Sequence, residues 1–212
     1  MLQALLVVTF IAMLALPAVM VAVSGSATKV PLSTALRILG LEAFTLLFVN
    51  IVTGAQSRFF YKLFKARPMY RFHLVTGVTG FLMALVHGVI VLAKSYFRGY
   101  SAIWVIGPVT LALLLLTIFA ALDKKRLPLV WRRIHQINYL IFLAVFIKAV
   151  VIGSDVSVPL GYARTMKVLF IIYLVVAAVA IVLRIWQYKG AAKKSRAKAV
   201  DGPAGRQTGG HL

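Results

Sequence analysis

Apolar residues run through this chain in blocks of about twenty, the length a helix needs to cross the hydrocarbon core of a bilayer. The blocks cover about Leu2 to Val23, Thr34 to Ala55, Met69 to Ala93, Ile103 to Leu122, Leu129 to Ile152 and Met166 to Gln187. Between them lie short stretches in which lysine and arginine gather. The expected fold is all-α, a polytopic six-helix transmembrane bundle occupying residues 1–188. The rest, residues 189–212, is rich in Lys, Ala and Gly and is expected to be a disordered basic tail, because it has too little apolar surface to fold alone. The blocks nearly exhaust the chain, so no soluble catalytic domain fits among them.

Composition sharpens this picture. The chain has 212 residues, 62% hydrophobic and 13% charged, whereas soluble domains carry about 45–50% apolar and about 25% charged residues. Its formal charge is +20, from 24 Lys and Arg against 4 Asp and Glu. A surplus of that size suggests nucleic acid or an anionic surface, but its clustering between apolar runs favours membrane-orienting charge and anionic lipid heads over nucleic acid. Seventeen of the basic residues fall in the second-to-third and fourth-to-fifth connections and at the end of the chain, against six in the other connections, with Lys148 left inside the fifth block. The positive-inside rule then places both termini in the cytoplasm, as for a protein of a prokaryotic inner membrane. The first block lacks a basic flank and exceeds the usual apolar length of a signal peptide, so it is expected to be a retained helix. With no cysteine, disulfides, iron–sulfur clusters and covalently attached haem are excluded.

Histidine becomes the informative residue. The third block holds His73 and His87, fourteen residues apart, about 21 Å along a helix and nearly four whole turns, so the two rings share a face. The fifth block holds His135 at about the depth of His73, on a helix running in the same direction. Two imidazoles from neighbouring helices can clamp a haem iron from both sides; the alternative is a pair of solvated interfacial histidines. At the level of His87 the fifth block offers Lys148. Its amine can ligate iron when deprotonated, snorkel to the headgroups, or pair with Glu42, the only acid inside an apolar block. Ligation needs a π-bulge or a tilt, since thirteen residues at 100° each carry Lys148 well round from His135. Arg71, Arg132 and Arg133 lie near the cytoplasmic edge, where they either contact haem propionates or serve as positive-inside charges. Gly153 to Tyr162, with Asp155 and Pro159, is expected to be an outer loop that either docks a partner or is plain surface.

The runs Trp131-Arg-Arg-Ile-His135-Gln-Ile-Asn-Tyr139 and Gly77-Val-Thr-Gly-Phe81-Leu-Met-Ala-Leu-Val-His87 resemble the ferric reductase-like transmembrane domain, a family that includes ferric reductases, NADPH oxidases and the haem subunit MsrQ. The resemblance covers residues 34–187. It implies two stacked b-type haems held by two histidines on each of the third and fifth helices. Carried over by position, His73 and His135 hold the cytoplasmic-side haem and His87 the outer one. The fourth position falls on Lys148, where this chain departs from the family pattern.

The resemblance implies an oxidoreductase subunit, a b-type cytochrome with one or two haems per chain. It would relay electrons from a cytoplasmic-side flavoprotein, flavin or quinol, with FMN or quinone supplied by a partner, to an extracytoplasmic acceptor protein. No dinucleotide-binding fingerprint is visible, so the donor must be another molecule. The competing readings are a small proton-coupled transporter, whose histidines relay protons, and a membrane scaffold; both lack haem.

Overall fold

The computed structural model describes residues 1–23, 31–95, 102–128, 130–153, 155–156 and 161–200. Among them the chain forms eight helices: α1 (Leu2–Val23), α2 (Pro31–Ala55), α3 (Ser57–Phe64), α4 (Ala66–Ser95), α5 (Ala102–Leu122), α6 (Trp131–Gln136), α7 (Asn138–Ile152) and α8 (Gly161–Val200). Six spans are long and apolar enough to cross a membrane, α6 and α7 together making the fifth. The protein is an all-α integral membrane protein.

The second span is the centre of the bundle. Half of it is buried, against 11–22% of each other span, because α1, α4, α7 and α8 all pack on it. Its inward faces carry Phe44 and Phe48, which stack with Phe142 of α7 and Phe170 and Tyr173 of α8 at ring-centroid distances of 4.3–4.8 Å for the closest pairs. Such offset stacks add about 0.5–1.5 kcal/mol per pair beyond plain burial. Threonines buried along the spans satisfy their hydroxyls on their own helix: Thr45 donates to the Leu41 carbonyl, Thr53 to Val49 and Thr76 to Phe72, at 2.8–3.0 Å. Hydrocarbon offers no other partner, so this return bond is what allows them there.

The α2–α4 contact is closest. Gly40 and Gly54 of α2 and Gly77 and Gly80 of α4 each leave space that a side chain of the facing helix fills, the small-residue device by which membrane helices approach one another. Asn50 bolts the pair, its Nδ2 donating to the His73 carbonyl at 2.7 Å and the Thr76 hydroxyl at 3.0 Å. The short α3 is amphipathic and lies between the second and third spans; Phe60 faces inward against Phe10 of α1 at 6.1 Å, and Gln3 bonds the Leu63 carbonyl.

Two expectations differ from the structure. The fifth span is not one helix: it is interrupted at Ile137, whose N–H bonds to the Ile134 carbonyl three residues back before the ordinary i−4 pattern resumes from Ile141. The expected disordered tail begins helically, because α8 continues through Val200. Ala, Lys and Arg are strong helix formers, and basic residues suit the negative end of a helix dipole. Residues 201–212, with His211, lie outside the described residues.

Candidate functional site

Between α2, α4, α5 and the broken fifth span lies a cavity of about 1450 Å³, lined at the end that holds His73, termed the inner end, by Arg184 and Tyr188 of α8. Ordinary small-molecule sites occupy about 300–1,000 Å³, so this one exceeds the needs of a single small ligand. It runs most of the way along α4, since both His73 and His87 line it. His135 and Lys148 line it as well. All four candidate side chains therefore enter one space.

At the inner end the rings of His73 and His135 face each other from different spans, centroids 6.1 Å apart and planes at 65°. Both are largely shielded. His73 packs over Gly54, where a β-carbon would come within 3.1 Å of its Cε1. Its Nδ1 is 3.5 Å from Thr53 Oγ1, the limit of a hydrogen bond; because that hydroxyl donates to Val49, it can only accept from the ring. Nδ1 of His135 is buried with no hydrogen-bond partner. Trp131, one turn earlier, places its ring 6.0 Å from that of His135, and Tyr139, one turn later, lines the same cavity.

At the outer end His87 packs over Gly40, and its Nδ1 is 2.8 Å from the Leu36 carbonyl. A carbonyl only accepts, so Nδ1 carries the proton and Nε2 keeps its lone pair. This is the second-contact pattern of metal-binding histidines, whose other ring nitrogen is tied to a carbonyl. Lys148 reaches Gly107 of α5; a β-carbon there would stand 2.5 Å from its Nζ. It forms no ion pair with Glu42, whose Oε1 is buried without a hydrogen-bond partner. His135 and Lys148 line one cavity on either side of Ile137, which keeps helical dihedrals of φ −58° and ψ −24°.

The three arginines read from the sequence separate here. Arg132 lines the cavity, its guanidinium 5.8 Å from the centre of the Trp131 ring. Arg71 and Arg133 are exposed and do not line it. Arg184, which the sequence offered only as a positive-inside charge, reaches in and donates to the Gly54 carbonyl at 2.6 Å. Asp155 in the expected outer loop is buried and paired in a fork with Arg37 of α2 at 2.8 and 3.0 Å; residues 154 and 157–160 of that loop lie outside the described residues. The glycines were also missed, although the sequence carried a signal for them: Gly40 and Gly54 repeat the fourteen-residue spacing of His73 and His87.

Comparisons with protein-family models, with curated proteins and with solved structures found no match for this chain.

Proposed function

We propose that this protein is a b-type haem electron-transfer subunit of the membrane. In this reading it relays electrons from a donor on the face where basic residues concentrate to an acceptor protein on the other. The observation that carries the reading is the facing pair of His73 and His135. A metal–imidazole bond is about 2.0–2.1 Å and about 1 Å more separates that nitrogen from its ring centre, so rings on either side of one metal stand about 6 Å apart. The 6.1 Å between the two ring centres agrees. A haem would bring its own porphyrin nitrogens and need only two ligands from the protein, which His73 and His135 would supply.

The surroundings fit the same group. The buried Nδ1 of His135 is unpartnered, the cavity is large, and glycines on α2 stand where any side chain would crowd the histidine rings. When bound, the haem iron would supply the one-electron chemistry. The chain's own contribution is to hold His73 against Gly54, to tie the His87 ring through Leu36, and to keep water from the rings with the α2–α7–α8 aromatic stack. His87 and Lys148 form the candidate outer site, so one or two haems per chain are accommodated by this reading. The donor would be a flavoprotein, flavin or quinol, and the setting the inner membrane of a prokaryote, with the basic face cytoplasmic.

The test is a reduced-minus-oxidised absorption spectrum of the purified protein, with haem extracted and counted per chain. Bis-imidazole b-type bands that disappear in His73→Ala and His135→Ala are expected. Absence of haem after haem-replete expression overturns the reading and leaves a transporter or scaffold.

A further inference from the structure

The charges lining the cavity are unbalanced. Arg37, Lys94, Lys124, Arg132, Lys148 and Arg184 line it, and among the described residues the one lining acid is Asp155, which Arg37 already holds. Lys94 and Arg132 are exposed, but Lys148 and Arg184 are half-buried, and a cation so placed is favoured by a bound anion. Among these cations Arg184 is placed most definitely. Its Nη1 donates to the carbonyl of Gly54, the residue over whose α-carbon the His73 ring packs. One residue of α2 thus positions both the guanidinium and the imidazole. The Tyr188 ring, 5.6 Å from the guanidinium carbon, supports Arg184 from its own helix. No carboxylate among the described residues pairs with it, and a guanidinium has five N–H donors, of which this arrangement commits one.

Resting on the haem reading above, we propose that Arg184 receives a carboxylate of the cofactor held between His73 and His135, so that the inner site selects an iron porphyrin with free acidic side chains. Guanidinium and carboxylate match as a two-pronged pair. Arg132, exposed and resting on Trp131, plays the lesser part. Arg71 and Arg133 play none, because they do not line the cavity.

The test is a titration of the full-length protein, produced without haem, with haemin and with haemin dimethyl ester, whose carboxylates are capped. Binding is followed by absorbance. Wild type is expected to bind haemin about tenfold more tightly than the ester, the size of one charge-assisted pair in a partly wet site. Arg184→Gln should bring haemin down to the affinity of the ester and leave the ester unchanged; Arg184→Lys should keep part of the preference. Ester binding by Arg184→Gln also shows that the variant is folded. Equal affinities for the two porphyrins in wild type, or an equal loss for both in Arg184→Gln, overturns the assignment while leaving the haem reading intact. Failure of wild type to bind either porphyrin overturns both.

Discussion

The His87 ring and Gly40 touch so closely that a β-carbon on Gly40 would stand 2.8 Å from the ring's Cε1 and 3.0 Å from Nδ1. The ring cannot retreat freely, because Nδ1 is bonded to Leu36 on the same helix as Gly40. Gly40→Ala should therefore break that bond and overpack the α2–α4 contact, at a cost of about 1–3 kcal/mol. Gly54→Ala meets His73 at 3.1 Å and should be milder in stability, but it should weaken haem binding at the inner site. Thermal unfolding in detergent together with haem titration checks both. Equal tolerance of alanine at the two positions and at the exposed Gly190, where a β-carbon meets nothing, would show that the glycines are not spacers for the rings.

Asn50→Leu tests what holds the His73 turn in place. The asparagine spans α2 and α4 through two donors, one on the backbone carbonyl of His73 itself. Interhelical hydrogen bonds in membrane proteins average about 0.6 kcal/mol and reach about 1.7, and two bonds at one side chain should fall toward the upper figure. The expected outcome is a stability loss of about 1–2 kcal/mol, with lower haem affinity at the inner site and no change in expression level. A variant as stable and as haem-replete as wild type would show the bolt to be dispensable.

The six spans were legible because hydrocarbon imposes a length and an apolar content that the chain displays openly, and four of the six expected blocks end within three residues of the observed helices at both ends. His73 facing His135 was legible too, since depth follows from counting residues. Side-chain direction was harder. The interruption at Ile137 has no proline or glycine to announce it, and counting 100° per residue set Lys148 well round from His135 although both line one cavity. The role of Arg184 depends on α8 crossing behind Gly54, a tertiary fact that positive-inside counting treats as surface charge. Asp155 looked like loop surface because its partner, Arg37, lies 118 residues away in sequence.

Glu42 is buried at 8% exposure, with Oε1 lacking any hydrogen-bond partner. A charged carboxylate there would be uncompensated, which in hydrocarbon is expensive. Glu42→Gln keeps the shape and removes the possibility of charge, so it should leave the melting temperature in detergent unchanged or raise it. Glu42→Lys introduces a longer, cationic side chain at the same buried position and should prevent accumulation of folded protein. Neither Glu42 oxygen faces the cavity lining, so the Gln variant should bind haem as wild type does. A large loss of stability in Glu42→Gln would mean that the carboxylate has a charged partner.

Lys148→Met separates the two ends of the cavity. The inner and outer histidines of α4 are fourteen residues apart, about 21 Å of helix, and Lys148 meets Gly107 at the outer end. Methionine keeps the length and apolar stem and deletes the amine. Bands that depend on His73 and His135 are expected to be unaltered, while any second haem signal that depends on His87 should shift or vanish. Altered inner bands with an intact outer signal would contradict the placement of Lys148.

Arg37 and Asp155 join the outer end of α2 to the turn that follows α7, through two bonds from Nε and a third from Nη2. Their side chains are 17% and 7% exposed, so solvent screens the pair less than it would a surface bridge. Exposed pairs contribute little, whereas hydrogen bonds to charged groups in shielded sites contribute about 1.5–3 kcal/mol. Removing either partner alone takes these bonds from a shielded charge, which makes each single variant worse than the pair's own value. The informative measurement is therefore a double-mutant cycle of Arg37→Gln and Asp155→Asn, with unfolding followed in detergent. A coupling of about 1–3 kcal/mol is expected, and both single variants should open the outer mouth of the cavity to water-soluble reductants such as dithionite. The inner end, held by the bond from Arg184 to the Gly54 carbonyl, is touched by neither variant. On the proposal that a haem sits between His73 and His135, its reduction from the inner face should accordingly proceed at the wild-type rate, and a cycle that closes with no coupling would show that the outer mouth is held by something other than this pair.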